Sequence, residues 1–104
     1  MLAHRMSYFL RSIVLTALLI VAGCQTAPVQ EMSDARQAIS VAKKAGAEKL
    51  APVDLNAALD YLRSAESFIN QRQYDNARRE AVNAKASALD ALQTSSEKTA
   101  EPAD

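Results

Sequence analysis

Ala77, Ala81, Ala84, Ala88 and Ala91 recur at spacings of 4, 3, 4 and 3 residues, and this alternation constrains the chain more than any other feature. On an α-helix that spacing lines a single face. A face of single methyl groups lets a second helix axis come close, and strict 3,4 spacing favours a shallow left-handed crossing of the coiled-coil kind. The pattern predicts a helix over about 74–96, packed along its length against another helix, with Val82, Leu89 and Leu92 flanking the alanines.

The preceding segment supplies that partner. A helix is expected over 52–70, because the fixed φ of Pro52 suits the first helical position and Asp54 complements the dipole in the first turn. Its apolar face is Leu55, Leu59, Leu62, Ala65 and Ile69. The turn "NQRQYD" is short enough to make the two helices an antiparallel hairpin. A further helix is expected over 31–46 from Ala35, Ala38, Ala42 and Ala45 with Ile39 beside them, stopped by Gly46, with "AGAEKLAP" as the connection. No strand pattern or glycine-based hairpin turn appears. The expected fold is all-α, a small arrangement of three helices in which the first lies against the groove of the hairpin.

Hydrophobic residues make up 49% of the chain, but much of that share after Cys24 is alanine, which adds little transfer free energy on burial. Large apolar side chains are few: Met32, Ile39, Val41, Leu50, Val53, Leu55, Leu59, Leu62, Phe68, Ile69, Val82, Leu89 and Leu92, with Tyr61 and Tyr74. A core this thin rarely contributes more than about 3–5 kcal/mol, so marginal stability, self-association or a partner is expected.

The start of the chain has a different character. His4, Arg5 and Arg11 precede an apolar run from Ile13 to Ala22 that only Thr16 interrupts, which is the order of a charged n-region and an h-region of about ten residues. A membrane span needs about 20 apolar residues, and Arg11 on one side with Gln25, Thr26 and Pro28 on the other prevents that length, so an export signal is the expectation. Met6 offers an alternative start, since "MSYFLRSIVL" alone places a basic residue before the run.

At the end of this run Val21, Ala22, Gly23 and Cys24 resemble the lipobox of bacterial lipoproteins. The resemblance implies a diacylglycerol on the Cys24 sulfur, cleavage between Gly23 and Cys24, and in bacteria with two membranes a further acyl chain, such as palmitate, on the new amino terminus. Two or more chains hold a protein stably at a membrane where one does not. In the sorting logic of such lipoproteins an Asp after the cysteine favours inner-membrane retention. Gln25 departs from it, so the implied destination is the periplasmic face of the outer membrane.

The expected organisation is therefore a signal over 1–23, a lipidated tether over 24–30, a helical domain over 31–96 and a polar, disordered tail over 97–104 that contains Pro102.

Ala65, Phe68, Tyr74, Ala77, Ala81 and Ala84 resemble the small-aromatic-aromatic-alanine order of one tetratricopeptide repeat. Only one such unit is present, Ala81 stands where a bulky aromatic is usual, and no closing proline follows, so the reading is a related helical hairpin and not a repeat array. Residues 31 to 92, through "LAPVDLNAALDYLRSAESFI" and "QYDNARREAVNAKASALDAL", more closely resemble a bacterial family of alanine-rich lipoprotein domains, domain of unknown function 4398. That family has no established activity to carry over.

Little in the expected mature chain is suited to catalysis. Removal of the signal takes away His4, acylation occupies the sole thiol at Cys24, and no tryptophan is present, so the usual general base and soft metal ligands are missing. No Gly-x-Ser-x-Gly elbow surrounds a serine, and Gly46 alone cannot build a phosphate-cradling loop. The pairs Glu66 with Asp60 and Glu80 with Asp75 do not share a helix face and read as solvated charge. Two of the 12 Lys and Arg fall in the signal, leaving 10 against 12 Asp and Glu, a faint acidity that argues against nucleic acid or an anionic membrane surface as an electrostatic partner.

The most basic region is Arg72, Arg78, Arg79 and Lys85, a candidate partner patch on what is otherwise an ordinary helix surface, with Asp75 and Arg79 in supportive i,i+4 order. Tyr61 and Tyr74 are expected as core or hairpin contacts. The functional expectation is a non-catalytic, lipid-anchored structural or interaction module of the cell envelope. It needs no cofactor, metal or small-molecule substrate, and it either binds an envelope protein or self-associates through its alanine-rich face. A peptidoglycan-associated spacer similar to the small murein lipoproteins is the alternative, although Gly46, Pro52 and the turn at Gln71–Gln73 break the unbroken helix such spacers have. An envelope enzyme or its accessory subunit is a remote third.

Overall fold

The computed structural model describes residues 2–22 and 26–101. Among them are five helices and no strand: α1 (Leu2–Ala22), α2 (Val29–Lys44), α3 (Ala47–Leu50), α4 (Pro52–Asn70) and α5 (Tyr74–Ala100). The all-α expectation and the hairpin of α4 with α5 hold. The spine of the fold is α5, with α4 running antiparallel along one flank and α2 running parallel to it along the other.

The seam on α5 is the alanine series that the spacing predicts. Ala77, Ala81, Ala84, Ala88 and Ala91 are all fully buried, and Ser95 extends the same series by one more turn. Facing it, α4 buries Leu55, Ala58 and Ala65, and α2 buries Met32, Ala35, Ala38, Ile39 and Ala42. Large side chains enter the core opposite small ones: Met32 packs with Ala65 and Ala81, while Ile39 and Leu55 pack with Ala88 and Ala91. Among the described residues the large apolar side chains in the buried class are Met32, Ile39 and Leu55; Val41, Val53, Val82 and Leu89 are exposed. The core is thus thinner than the roll of apolar residues suggests, and close approach of the helix axes makes it so.

The face of α4 needs a correction. Ala58 occupies the position in the seam that the periodicity assigned to Leu59, and Leu59 packs along the edge with Leu62 and Leu92. A seam against a row of alanines admits a methyl group at closest approach, and the bulkier leucine covers the side of the joint.

Three boundaries also differ from expectation. Helix α2 starts at Val29, two residues early, with Pro28 buried and its carbonyl accepting the Met32 N–H at 3.0 Å, so the tether is shorter than 24–30. Within "AGAEKLAP" the chain makes the single turn of α3. Gly46 permits this turn, because its φ of +90° ends α2 while its carbonyl accepts from Lys49 and Leu50 at 3.1 and 3.0 Å. Finally, α5 continues to Ala100, so residues 97–100 are helical and not part of a disordered tail; residues 102–104 lie outside the described residues.

Polar side chains account for that last extension. The Ser95 hydroxyl, buried in the seam, donates to the Ala91 carbonyl at 2.7 Å, and Thr99 donates to the Ser95 carbonyl at 2.8 Å. Gln93 bonds Glu97 one turn on at 3.0 Å. Lys98 Nζ reaches the Leu50 carbonyl at 2.6 Å and ties the end of α5 to the α3–α4 connection.

The α4–α5 turn closes on a non-glycine residue in the left-handed region, Arg72 at φ +59°. The Gln73 N–H bonds the Phe68 carbonyl at 2.8 Å and the Arg72 N–H bonds the Ile69 carbonyl at 2.9 Å. These two bonds form a Schellman cap, which satisfies carbonyls that the end of α4 would otherwise leave open.

Candidate functional site

Val21 and Ala22 are the last residues of α1, while Gly23 and Cys24, the rest of the proposed lipobox, lie outside the described residues. Among the described residues no helix is long and apolar enough to cross a membrane. The folded body begins at buried Pro28, so only Gln25, Thr26 and Ala27 separate Cys24 from it.

That point of entry is also where the basic residues gather. Thr26 lines an open cleft of about 1060 Å³ together with Arg72, Tyr74, Asp75, Asn76, Arg78 and Arg79. The cleft forms because the α4–α5 turn and the start of α2 are at the same end of the bundle. Three of the four residues of the predicted patch therefore come together beside the tether. The fourth, Lys85, does not join them and lines a separate groove between α2 and α5.

Among the described residues one of the patch's four cations, Arg78, is matched by carboxylates of the chain itself. Arg78 lies 3.1 Å from Glu31 on α2 and 3.4 Å from Asp75 on its own helix. Arg79 donates to Asn76, not to Asp75, so the expected i,i+4 pair is replaced by an i,i+3 pair made by its neighbour. Arg78 takes Asp75 because it sits on the α2-facing side of α5, where it bridges both carboxylates. Among the described residues Arg72, Arg79 and Lys85 are in no ion pair.

The acidic residues considered as pairs are held apart in the same way. Asp60 accepts from Arg63 at 2.9 Å and Glu66 from Arg36 of α2 at 3.3 Å, so these two have separate arginines, whereas Asp75 shares Arg78 with Glu31 and Glu80 is in no ion pair among the described residues. Among the described residues no three His, Cys, Asp or Glu side chains are placed to hold a metal ion. Tyr74 is half-buried and lines the cleft, while Tyr61, expected like it as a core or hairpin contact, is 38% exposed and is not in the core.

The alanine face is consumed by the chain's own packing, since every alanine of the α5 series is 0% exposed. Self-association through that face, one of the expectations above, has no free surface to use. The groove that is open lies beside it, between Asp34, Gln37, Ala38 and Val41 of α2 and Lys85, Leu89 and Leu92 of α5, with a volume of about 220 Å³. The sequence carried a signal for it: Lys85, Leu89 and Leu92 recur at spacings of 4 and 3, which places a second, mixed stripe beside the alanines.

No curated protein and no solved structure matches the chain. Residues 30–104 match a family model, and on that match the chain belongs to the family described as Domain of unknown function (DUF4398).

Proposed function

We propose that this protein is a lipid-anchored lipoprotein of the cell envelope, held at the periplasmic face of the outer membrane through Cys24, where its helices act as a non-catalytic structural or protein-interaction module. The observation that carries the reading is the run Val21-Ala22-Gly23-Cys24 at the end of an apolar segment, followed after three residues by the start of a folded bundle. Such a tether keeps the bundle within about 10 Å of the acylated residue, so the Thr26 end faces the membrane and the α3 end faces away.

In this reading the anchor supplies location and the bundle supplies a surface. Acyl chains contribute about 0.8 kcal/mol per buried methylene, enough for stable attachment when two or more are present. The bundle is small and its core consists mainly of methyl groups, which suits a module whose surface meets another macromolecule.

In-cell crosslinking of the full chain followed by mass spectrometry tests the module. Recovery of a defined protein, including a second copy of this chain, supports it. Recovery only as a covalent murein adduct contradicts it and supports the spacer.

A further inference from the structure

We infer that the α2–α5 groove is a homodimer interface in which two copies associate side by side with their tethers pointing the same way. The inference rests on the anchored reading above and adds the partner and the surface to it. Val41, Val82 and Leu89 are 41%, 52% and 46% exposed, although the chain has few large apolar residues to spare. Val41 and Leu89 border one groove, with Val82 beyond its end in the cleft that Thr26 lines, and the charged members of the groove are of opposite sign: Asp34 on the α2 side and Lys85 on the α5 side.

Neither charge is in an ion pair among the described residues; Asp34 only accepts from Gln30 at 2.9 Å. A two-fold axis parallel to the helices lays α2 of one copy against α5 of the other. Each Asp34 then meets Lys85 of the second copy, and the pair forms twice, as an isologous contact requires. The levels agree. Glu31 and Arg78 are in contact and mark one height, Asp34 is three residues above it and Lys85 seven, and at 1.5 Å per residue the offset is about 6 Å, within reach of a lysine stem.

The direction of the axis follows from the tether. Two copies anchored in one membrane have their Thr26 ends at the same height, which permits the parallel pair. A two-fold perpendicular to the helices would set one Thr26 end away from the membrane and would lay α2 against α2 and α5 against α5, so that Asp34 and Lys85 would not face each other. Confinement to a membrane also raises the effective concentration of one copy for the other, so a modest apolar groove suffices.

The test is a charge exchange on the full-length chain, extracted, reconstituted into lipid vesicles and followed by energy transfer between labelled copies over a series of protein-to-lipid ratios. Wild type is expected to dimerise. Lys85→Glu, which sets two carboxylates against each other at both ends of the contact, is expected to weaken the dimer by about tenfold or more. The double variant Asp34→Lys with Lys85→Glu is expected to recover wild-type association.

Circular dichroism of each variant must show unchanged helicity; both positions are polar and lie outside the seam. A wild-type chain that stays monomeric overturns the proposal, and so does a double variant that associates no better than Lys85→Glu. Intact mass of the same samples reads the anchor separately. Absence of lipid on Cys24 overturns the anchored reading and with it the parallel arrangement, whereas a lipidated monomer overturns the dimer alone.

Discussion

Arg78 on α5 reaches Glu31 on α2 with 3.1 Å between Nε and Oε1, and this contact sets the register of two helices that run parallel and have no direct connection to each other. Both side chains are about a third exposed, at 40% and 33%, so water screens the pair and its worth stays below about 1 kcal/mol. A double-mutant cycle of Glu31→Gln and Arg78→Gln, read by urea unfolding, should give a coupling of about 0.3–1 kcal/mol. Additive effects of the two changes would show that the pair holds nothing together.

The seam predicts a sharp contrast between two identical chemical changes on one helix. Ala84 is fully buried against the neighbouring helices, and Ala86, two residues on, is exposed. Ala84→Leu should cost about 2–3 kcal/mol by forcing the helices apart, while Ala86→Leu should stay within about 0.5 kcal/mol. Equal effects in thermal unfolding would mean that the helices do not approach as closely as the alanines allow.

Arg72 carries backbone strain that glycine would relieve. A left-handed conformation costs an L-residue about 1–2 kcal/mol, and the added freedom of glycine in the unfolded chain returns part of that gain. Arg72→Gly should therefore stabilise the protein by up to about 1 kcal/mol, and Arg72→Val should destabilise it by about as much. Urea midpoints in the opposite order would contradict the capping geometry at the end of α4.

Ser95 behaves as a seam residue that happens to be polar. Its hydroxyl donates to the Ala91 carbonyl of the preceding turn, so Ser95→Ala removes the hydroxyl and leaves that carbonyl with its intrahelical N–H partner, and no buried polar group is left open. The expected change is within about 0.5 kcal/mol, while Ser95→Leu should cost about 2 kcal/mol or more by overfilling the same position. If Ser95→Leu were tolerated, the last turns of α5 would not be part of the bundle.

These residues also mark where the sequence was legible. The 3,4 alanine series reports both the helix and its buried face, because an alanine seam has one periodicity and needs no other partner information. The hairpin was legible through Pro52 and the short turn. The choice between Ala58 and Leu59 was not, since both lie within one step of the same face and only the closeness of α5 decides which of them enters the seam.

The end of α5 differs from expectation because Glu97, Lys98, Thr99 and Ala100 are exposed and carry no buried period to read. Their helix is held by side-chain bonds, Gln93 to Glu97 and Lys98 to the distant Leu50 carbonyl, which local pattern does not state. The site was legible in part: the composition located Arg72, Arg78 and Arg79, yet their meeting with Thr26 depends on α2 running parallel to α5, which no local pattern states. Lys85 was grouped with them by proximity in sequence, and the helical turn carries it to a different groove.

The central claim is the anchor at Cys24, and mass spectrometry of the membrane-extracted protein tests it most directly. Wild type should begin at Cys24 and carry the mass of a diacylglycerol and a further acyl chain. Cys24→Ser should carry neither and should remain joined to residues 1–23. A wild-type chain with an unmodified Cys24 thiol, or a Cys24→Ser chain that is still cut after Gly23 and still sediments with membranes to the same extent, would contradict the account.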